Sequence, residues 1–279
     1  MRALPNLNSL PVRGCLLAAA LVVGVVAQAA GGHAPNVKEL LAQYESARGG
    51  AATWAAVQSM GWTGHIVTAV GPETDLPFLM LFKRPNATRF EVKGQRLRAI
   101  RVFDGDEGWK VRPGKETGLD VQLFTQEDIA SERDSGGLDG PLSNPDAKGI
   151  TVALEGRDTV EAHSAWRLRV TLPSGRVQRH WLDTRTFAEL RYDRSSSDSS
   201  GRPTVVSVYY RDYRRIKSLN LPMSIETRDA GGAVIETMTI EKVAINPDLA
   251  ADTFAGPGRR PRHGGVVVDT SKTAAAMPP

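Results

Sequence analysis

The chain has 279 residues, 41% hydrophobic and 24% charged, with 35 Lys and Arg against 31 Asp and Glu. That is an ordinary globular composition with enough apolar sequence for a sizeable core. The charges are mixed and the clearest cationic block, Arg259-Arg260-Pro261-Arg262, stands near the C-terminal end, so no basic stripe with interleaved aromatics favours nucleic acid.

The first element is a leader. Arg2 and Arg13 are followed by an uncharged apolar run from Leu16 to Val26 and by the small-x-small triplet Ala27-Gln28-Ala29. This order reads as an export signal over residues 1–29, cut after Ala29. The run is shorter than the ~20 residues a membrane span needs, which argues against an uncleaved anchor. The single cysteine, Cys15, precedes the apolar run, the wrong order for lipidation at a cleavage site. Its loss with the leader leaves no disulfide, thiolate metal site or cysteine nucleophile.

Helical spacing of Val37, Leu40, Leu41 and Tyr44 behind Asn36 predicts a helix over 36–48, stopped by Gly49-Gly50. A second short helix is expected over 51–59. The period then drops to two. Strands are expected at 62–70, 78–82, 89–93, 97–103 and 109–111, a capped helix at 125–133, and a Gly, Pro, Asp and Ser-rich loop at 134–148. That loop is either a domain boundary or an insertion over one sheet. Strands resume at 151–154, 166–172, 177–182, 186–194, 205–213, 221–228 and 233–245. The expectation is mainly β with a few helices, about ten or eleven strands in an antiparallel meander. The domain is placed at 30–257, with a disordered basic tail at 258–279 in which Val266-Val267-Val268 is a short apolar exception.

Chemistry-bearing motifs are weak. Asp134-Ser135-Gly136-Gly137 matches a serine-nucleophile turn, but His33 and His65 upstream have no context for a triad base. Asp104-Gly105-Asp106-Glu107-Gly108 clusters carboxylates without the distal Glu of a calcium loop and reads as a hairpin tip. The five histidines show no zinc spacing, His65 and His180 reading as ordinary strand residues, and there is no phosphate or dinucleotide loop. The chain is expected to be no enzyme, with no metal and no cofactor. What remains is an apolar set of candidate inward positions: Phe78, Met80, Phe82, Phe90, Val92, Trp109, Trp166, Val170, Trp181, Met223 and Met238. Such residues fill cores and also line adaptable greasy cavities.

A series of short pieces falls in a familiar order. Arg48-Gly49-Gly50 ends the first helix and Met60-Gly61-Trp62-Thr63-Gly64 enters the first strand. Lys83-Arg84-Pro85-Asn86 turns before Arg89, and Phe103-Asp104-Gly105 leads to Trp109. Trp181-Leu182-Asp183-Thr184-Arg185-Thr186 precedes Glu189-Leu190-Arg191; Asp212-Tyr213-Arg214, Leu221-Pro222, Asn246-Pro247, Phe254 and Pro257 follow. Over residues 36–257 the chain resembles the outer-membrane lipoprotein-sorting proteins, relatives of the LolA/LolB periplasmic lipoprotein carriers. The resemblance implies an unclosed antiparallel β-barrel with helices covering its concave face. It also implies a periplasmic carrier that binds acyl chains of lipoprotein or lipid in an apolar cavity, with a membrane donor or acceptor protein as partner. The helical stretches 36–59 and 125–133 would be its lid. The loop at 134–148 and the basic tail depart from the pattern. The other reading is a regulatory binding module of the MucB/RseB envelope-stress type, which shares the β-fold.

Overall fold

The computed structural model describes residues 35–69, 74–95, 98–113, 119–197 and 201–256. The leader with its cleavage site and the tail with Val266-Val267-Val268 lie outside the described residues. Among the described residues no helix is long and apolar enough to cross a membrane.

Helix α1 (Val37–Ala47) starts where expected. The Asn36 side chain accepts from the Glu39 amide at 2.9 Å and the Glu39 carboxylate accepts from the Asn36 amide at 3.1 Å, so two orphan donors of the first turn are satisfied reciprocally. Gly49 ends it with φ +117°, and a Cβ there would sit 2.2 Å from the Ser218 carbonyl, so the close approach of the two chain segments needs glycine. Helix α2 (Ala51–Ala55) is shorter than the expected 51–59. Ser59 is instead captured by strand pairing with Lys83, while Asn246 Oδ1 accepts the amides of Gln58 and Ser59 at 2.7 and 3.2 Å.

Thirteen strands follow among the described residues, above the expected ten or eleven: each strand stretch read from sequence is present and one is added at Leu119–Leu123. They are β1 (Ser59–Thr68), β2 (Asp75–Lys83), β3 (Ala87–Lys93), β4 (Arg98–Phe103), β5 (Gly108–Pro113) and β6 (Leu119–Leu123), then β7 (Thr151–Val160), β8 (His163–Thr171), β9 (Val177–Asp183), β10 (Glu189–Ser197), β11 (Pro203–Ile216), β12 (Leu219–Arg228) and β13 (Val234–Ile245). Helix α3 (Gln126–Asp134) lies between β6 and β7 and is capped by Thr125 with Asp128. All neighbours pair antiparallel in one sheet of order β6-β5-β4-β3-β2-β1-β13-β12-β11-β10-β9-β8-β7. β1 pairs β13, which joins two meanders, while β6 and β7 are the edges of the sheet among the described residues. The barrel is therefore unclosed. β6 was not foreseen because its apolar residues Val121 and Leu123 face solvent and mark no buried side. β7 runs past the expected 151–154 because a bulge at Gly156 (φ +127°) absorbs the break in alternation.

Period two divides the sheet into two faces. The inner face carries the helices. Under α1, Leu40 and Tyr44 pack on Trp166, Leu168, Val170 and Leu182, together with Leu142 and Ile150 from the long loop. That loop is an insertion laid on the sheet and no boundary: it makes 3₁₀ turns at Gly137–Asp139 and Asp146–Lys148, and Lys148 Nζ donates to the carbonyls of Gly140 and Ser143 at 2.7 Å. A second inner cluster holds Ile66, Leu76, Phe78, Val92, Met223 and Ile240. The outer face of β2–β5 is covered by the segment after β13, through Leu249 and Phe254 against Leu81, Ile100, Val102, Val111 and Trp109.

Candidate functional site

A cavity of about 300 Å³ lies between the inner face and the helices. It is touched by Thr88 of β3 at one side and by Gln178 and His180 of β9 at the other. Seven strand spacings separate β3 from β9 in the sheet, about 34 Å if the sheet were flat. A cavity this small reaches both only because the sheet curls round it. The roof is built from Tyr44, Ala47 and Arg48 of α1, Trp54 of α2, Glu132 and Asp134 of α3, and the loop from Ser135 to Pro141. The stretches expected to form a lid thus do meet over the cavity.

The wall has two halves. On one side Trp62, Met80, Phe82 and Ile225 present apolar surface, with Leu138 opposite from the loop. Phe82 sits edge-on to Trp62, ring centroids 5.2 Å apart. The other side is aromatic and polar. His180 stacks on Tyr192 (5.3 Å, 15°), and Tyr192 on Tyr210 (5.9 Å, 24°), a row across three adjacent strands. His180 is 2% exposed and bonds Glu189 through Nδ1 at 2.6 Å and Gln178 through Nε2 at 3.0 Å. The Tyr213 hydroxyl donates to the Glu189 carbonyl at 2.8 Å. Burial raises the hydroxyl pKa of Tyr44, Tyr192, Tyr210 and Tyr213, so all four are neutral donors at physiological pH. Arg48 closes one corner, its guanidinium 3.9 Å from the Trp54 ring centre and donating to the Asp139 carbonyl at 2.7 Å.

The sequence-derived candidates divide four ways. Met80 and Phe82 line the cavity. Phe78, Phe90, Val92, Met223 and Met238 share the inner face in the adjoining cluster, with Met80 opposite Phe90 and Phe78 opposite Val92. Trp166 and Val170 are packed under α1. Trp109 and Trp181 stand on the outer face: Trp109 beside Gly256 and Phe254, Trp181 under the Arg191 guanidinium at 4.6 Å and donating to Asp158 at 3.0 Å. Tyr44, Trp54, Trp62, Tyr192, Tyr210 and Tyr213 also line the cavity and are not among the sequence-derived candidates. The one available signal was the recurrence of aromatics at matching parity in strands read as antiparallel neighbours.

Two other motifs resolve simply. Ser135 caps α3, its hydroxyl donating to the Glu132 carbonyl at 2.7 Å and accepting from the Gly137 amide at 3.2 Å, so it is engaged in a helix terminus. The Asp104 carboxylate accepts the amides of Asp106 and Glu107 at 3.0 and 2.8 Å, which makes the 104–108 cluster a turn.

No family model matches the chain, and no curated protein matches it in sequence. Solved structures do match in fold. A LolA superfamily protein of Nitrosomonas europaea superposes with a TM-score of 0.52 at 14% identity, over 80% of this chain and 99% of its own. The chain shares the LolA-type fold. A DUF1329 family protein of Desulfovibrio piger gives 0.52 at 13% identity, over 79% and 98% of the two chains. A Vibrio parahaemolyticus domain assigned to outer membrane lipoprotein sorting gives 0.50 at 11%, over 79% and 96%. In this version of the LolA-type fold the long loop is held to the barrel by a bidentate pair, Arg84 to Asp139, with both bonds at 2.6 Å.

Burial alone would raise the Asp139 carboxyl, but the Arg84 guanidinium more than offsets it and holds the pKa below the usual carboxylate value. A depressed folded-state pKa means that the pair's contribution is complete above the unfolded pKa of ~4 and is lost as pH falls through the folded value. The stability difference between wild type and Asp139→Asn is therefore expected to be constant from pH 8 to 5 and to narrow below pH 4. Urea denaturation at each pH reads it; a difference that stays flat down to pH 2 would contradict the linkage.

Proposed function

We propose that the chain is an exported periplasmic carrier that holds one acyl chain of a lipid or lipoprotein in this cavity and acts by binding alone. The cavity carries the reading: a space of about 300 Å³ with Trp62, Met80, Phe82 and Ile225 on its wall, under helices and a loop that are separate pieces of chain. Sequence supports export through the leader at 1–29. The fold is shared with a domain assigned to outer membrane lipoprotein sorting, which supports the cargo class.

Size and energy agree with one tail. At roughly 30 Å³ for each water-sized group, about ten such groups fill the space. Ten methylenes at ~0.8 kcal/mol each contribute about 8 kcal/mol, which corresponds to micromolar affinity before ordering costs. That retains a tail in water and still allows release to a membrane or acceptor protein that binds it better, so transfer needs no nucleotide. The roof rests on the sheet at identifiable ties, Arg84 to Asp139 and Arg101 to Glu132, which would hold it closed or part to admit cargo.

Native mass spectrometry of protein purified from the envelope tests this. A mass increment matching a lipid or acylated peptide is expected, lost on organic extraction and restored by added lipid. Protein that carries no lipid and takes none up would count against the carrier.

A further inference from the structure

Beside the acyl cavity lies a second chamber of about 510 Å³, bounded by α3, β9 and β10. The two share Asp134, Ser135, Gln178 and Tyr192, so they adjoin along one wall. Their chemistry differs. The second is walled by Arg101, Arg176 and Arg194 together with Glu127, Asp128 and Asp134.

Most of the negative charge there is already engaged. Lys110 Nζ donates to Asp128, as do the amide and hydroxyl of Thr125, at 2.7 to 3.0 Å. Burial would raise that carboxyl, yet these bonds win and bring its pKa to about 2. Asp134, buried, accepts from Ser174 Oγ at 2.6 Å and from Arg176 Nε at 3.1 Å. Of the cations, Arg101 is paired with Glu132 and Asp128 and Arg194 has Glu236 as a carboxylate neighbour, but Arg176 and Arg194 are less fully used. Arg176, about a third exposed as a side chain, spends Nε on Asp134, while its Nη2 is buried with no acceptor among the described residues. Arg194 is exposed and hydrogen-bonds Tyr192, the ring that belongs to both spaces. A buried guanidinium nitrogen left unpaired costs on the order of 1–3 kcal/mol, and folded proteins rarely leave one without a reason.

We propose that this chamber takes the anionic headgroup of a single-chain amphiphile whose tail fills the adjoining cavity, with Arg176 and Arg194 as its donors. A carboxylate or phosphate oxygen supplies the acceptor that Nη2 lacks, and guanidinium groups bind such oxygens through paired hydrogen bonds. The shared wall, Gln178 and Tyr192, is where head meets tail. This rests on the acyl-binding reading and narrows it to one tail with a charged head.

Calorimetric titration of the mature protein with decanoate and with 1-decanol, which share a tail and differ in the head, tests it at pH 7.5 and low salt. Decanoate is expected to bind at least tenfold more tightly. Arg194→Gln, at an exposed position, and Arg176→Gln are each expected to bring the ratio toward one while decanol binding stays within twofold. Acetate, the head without the tail, is expected to bind far more weakly than decanoate. Equal affinities for decanoate and decanol in the wild type, a ratio unchanged in both variants, or acetate binding as tightly as decanoate would each overturn the headgroup assignment. Failure of both ligands to bind would instead remove the acyl cavity itself, and this inference with it.

Discussion

Leu142→Ala is expected to destabilise the protein by about 2–5 kcal/mol, a large share of the ~5–15 kcal/mol that holds a typical domain folded. Leu142 is fully buried although it sits in a segment whose composition reads as a polar loop. It fills the space between α1 and the inner face of β7–β9, against Leu40, Tyr44, Trp166 and Leu168. Truncation removes its transfer energy and leaves a void. The void is lined by strand residues on one side and a helix on the other, neither free to collapse. The loop is otherwise tied at Asp139 and Lys148, so it stays in place over the hole. Urea denaturation gives the number. A loss below about 1 kcal/mol would mean that the loop can lift from the sheet at little cost, and that it belongs with the mobile part of the roof rather than with the core.

The contrast between that loop and the strands shows what a sequence of this kind discloses. Strand positions were readable because alternation reports burial directly, as in β8, where Trp166, Leu168 and Val170 all turn inward. Helix starts were readable because Asn36 and Thr125 cap locally. Which face is inner is a different matter. Period two separates the faces without saying which one meets the core, and here both sides of β2–β5 are covered. Trp109 looks as inward as Phe82, yet it is half-buried on the outer face against Phe254 and Gly256, which return from more than a hundred residues away. Trp181 packs on the outer face with Val160, Ala165 and Tyr209 and is covered by the Arg191 guanidinium, whose stem and planar head shield an outward ring. The polar wall of the cavity was hidden for the same reason. His180 reads as a surface strand residue until Glu189 and Gln178 are seen around it and Tyr192 beside it. The pairings with Glu189 and Tyr192 span a hairpin while the Gln178 bond lies within β9, and the cavity they face exists only once β3 and β9 curl toward each other.

Ile225→Trp is expected to weaken acyl binding by roughly 100-fold or more while leaving the protein folded. Ile225 sits on the cavity wall in β12, opposite Tyr210 of β11 and Met238 of β13. An indole at this position projects into the space the tail requires. Excluding four methylenes removes about 3 kcal/mol, so affinity for a ten-carbon tail falls by roughly 100-fold or more. Overpacking in a filled core typically costs about 1–3 kcal/mol, but a side chain that grows into a cavity meets less resistance, so the stability change is expected at the low end. The partner measurement is Trp109→Phe, a substitution on the outer face, which is expected to leave acyl affinity within twofold because the sheet itself lies between that ring, packed against Phe254 and Gly256, and the cavity. Titration of both folded variants with the same ligand distinguishes the faces. Full affinity in Ile225→Trp, or a large loss in Trp109→Phe, would place the tail somewhere other than beneath the helices. Loss in the first alone ties acyl binding to the space that the curled sheet and its roof create together.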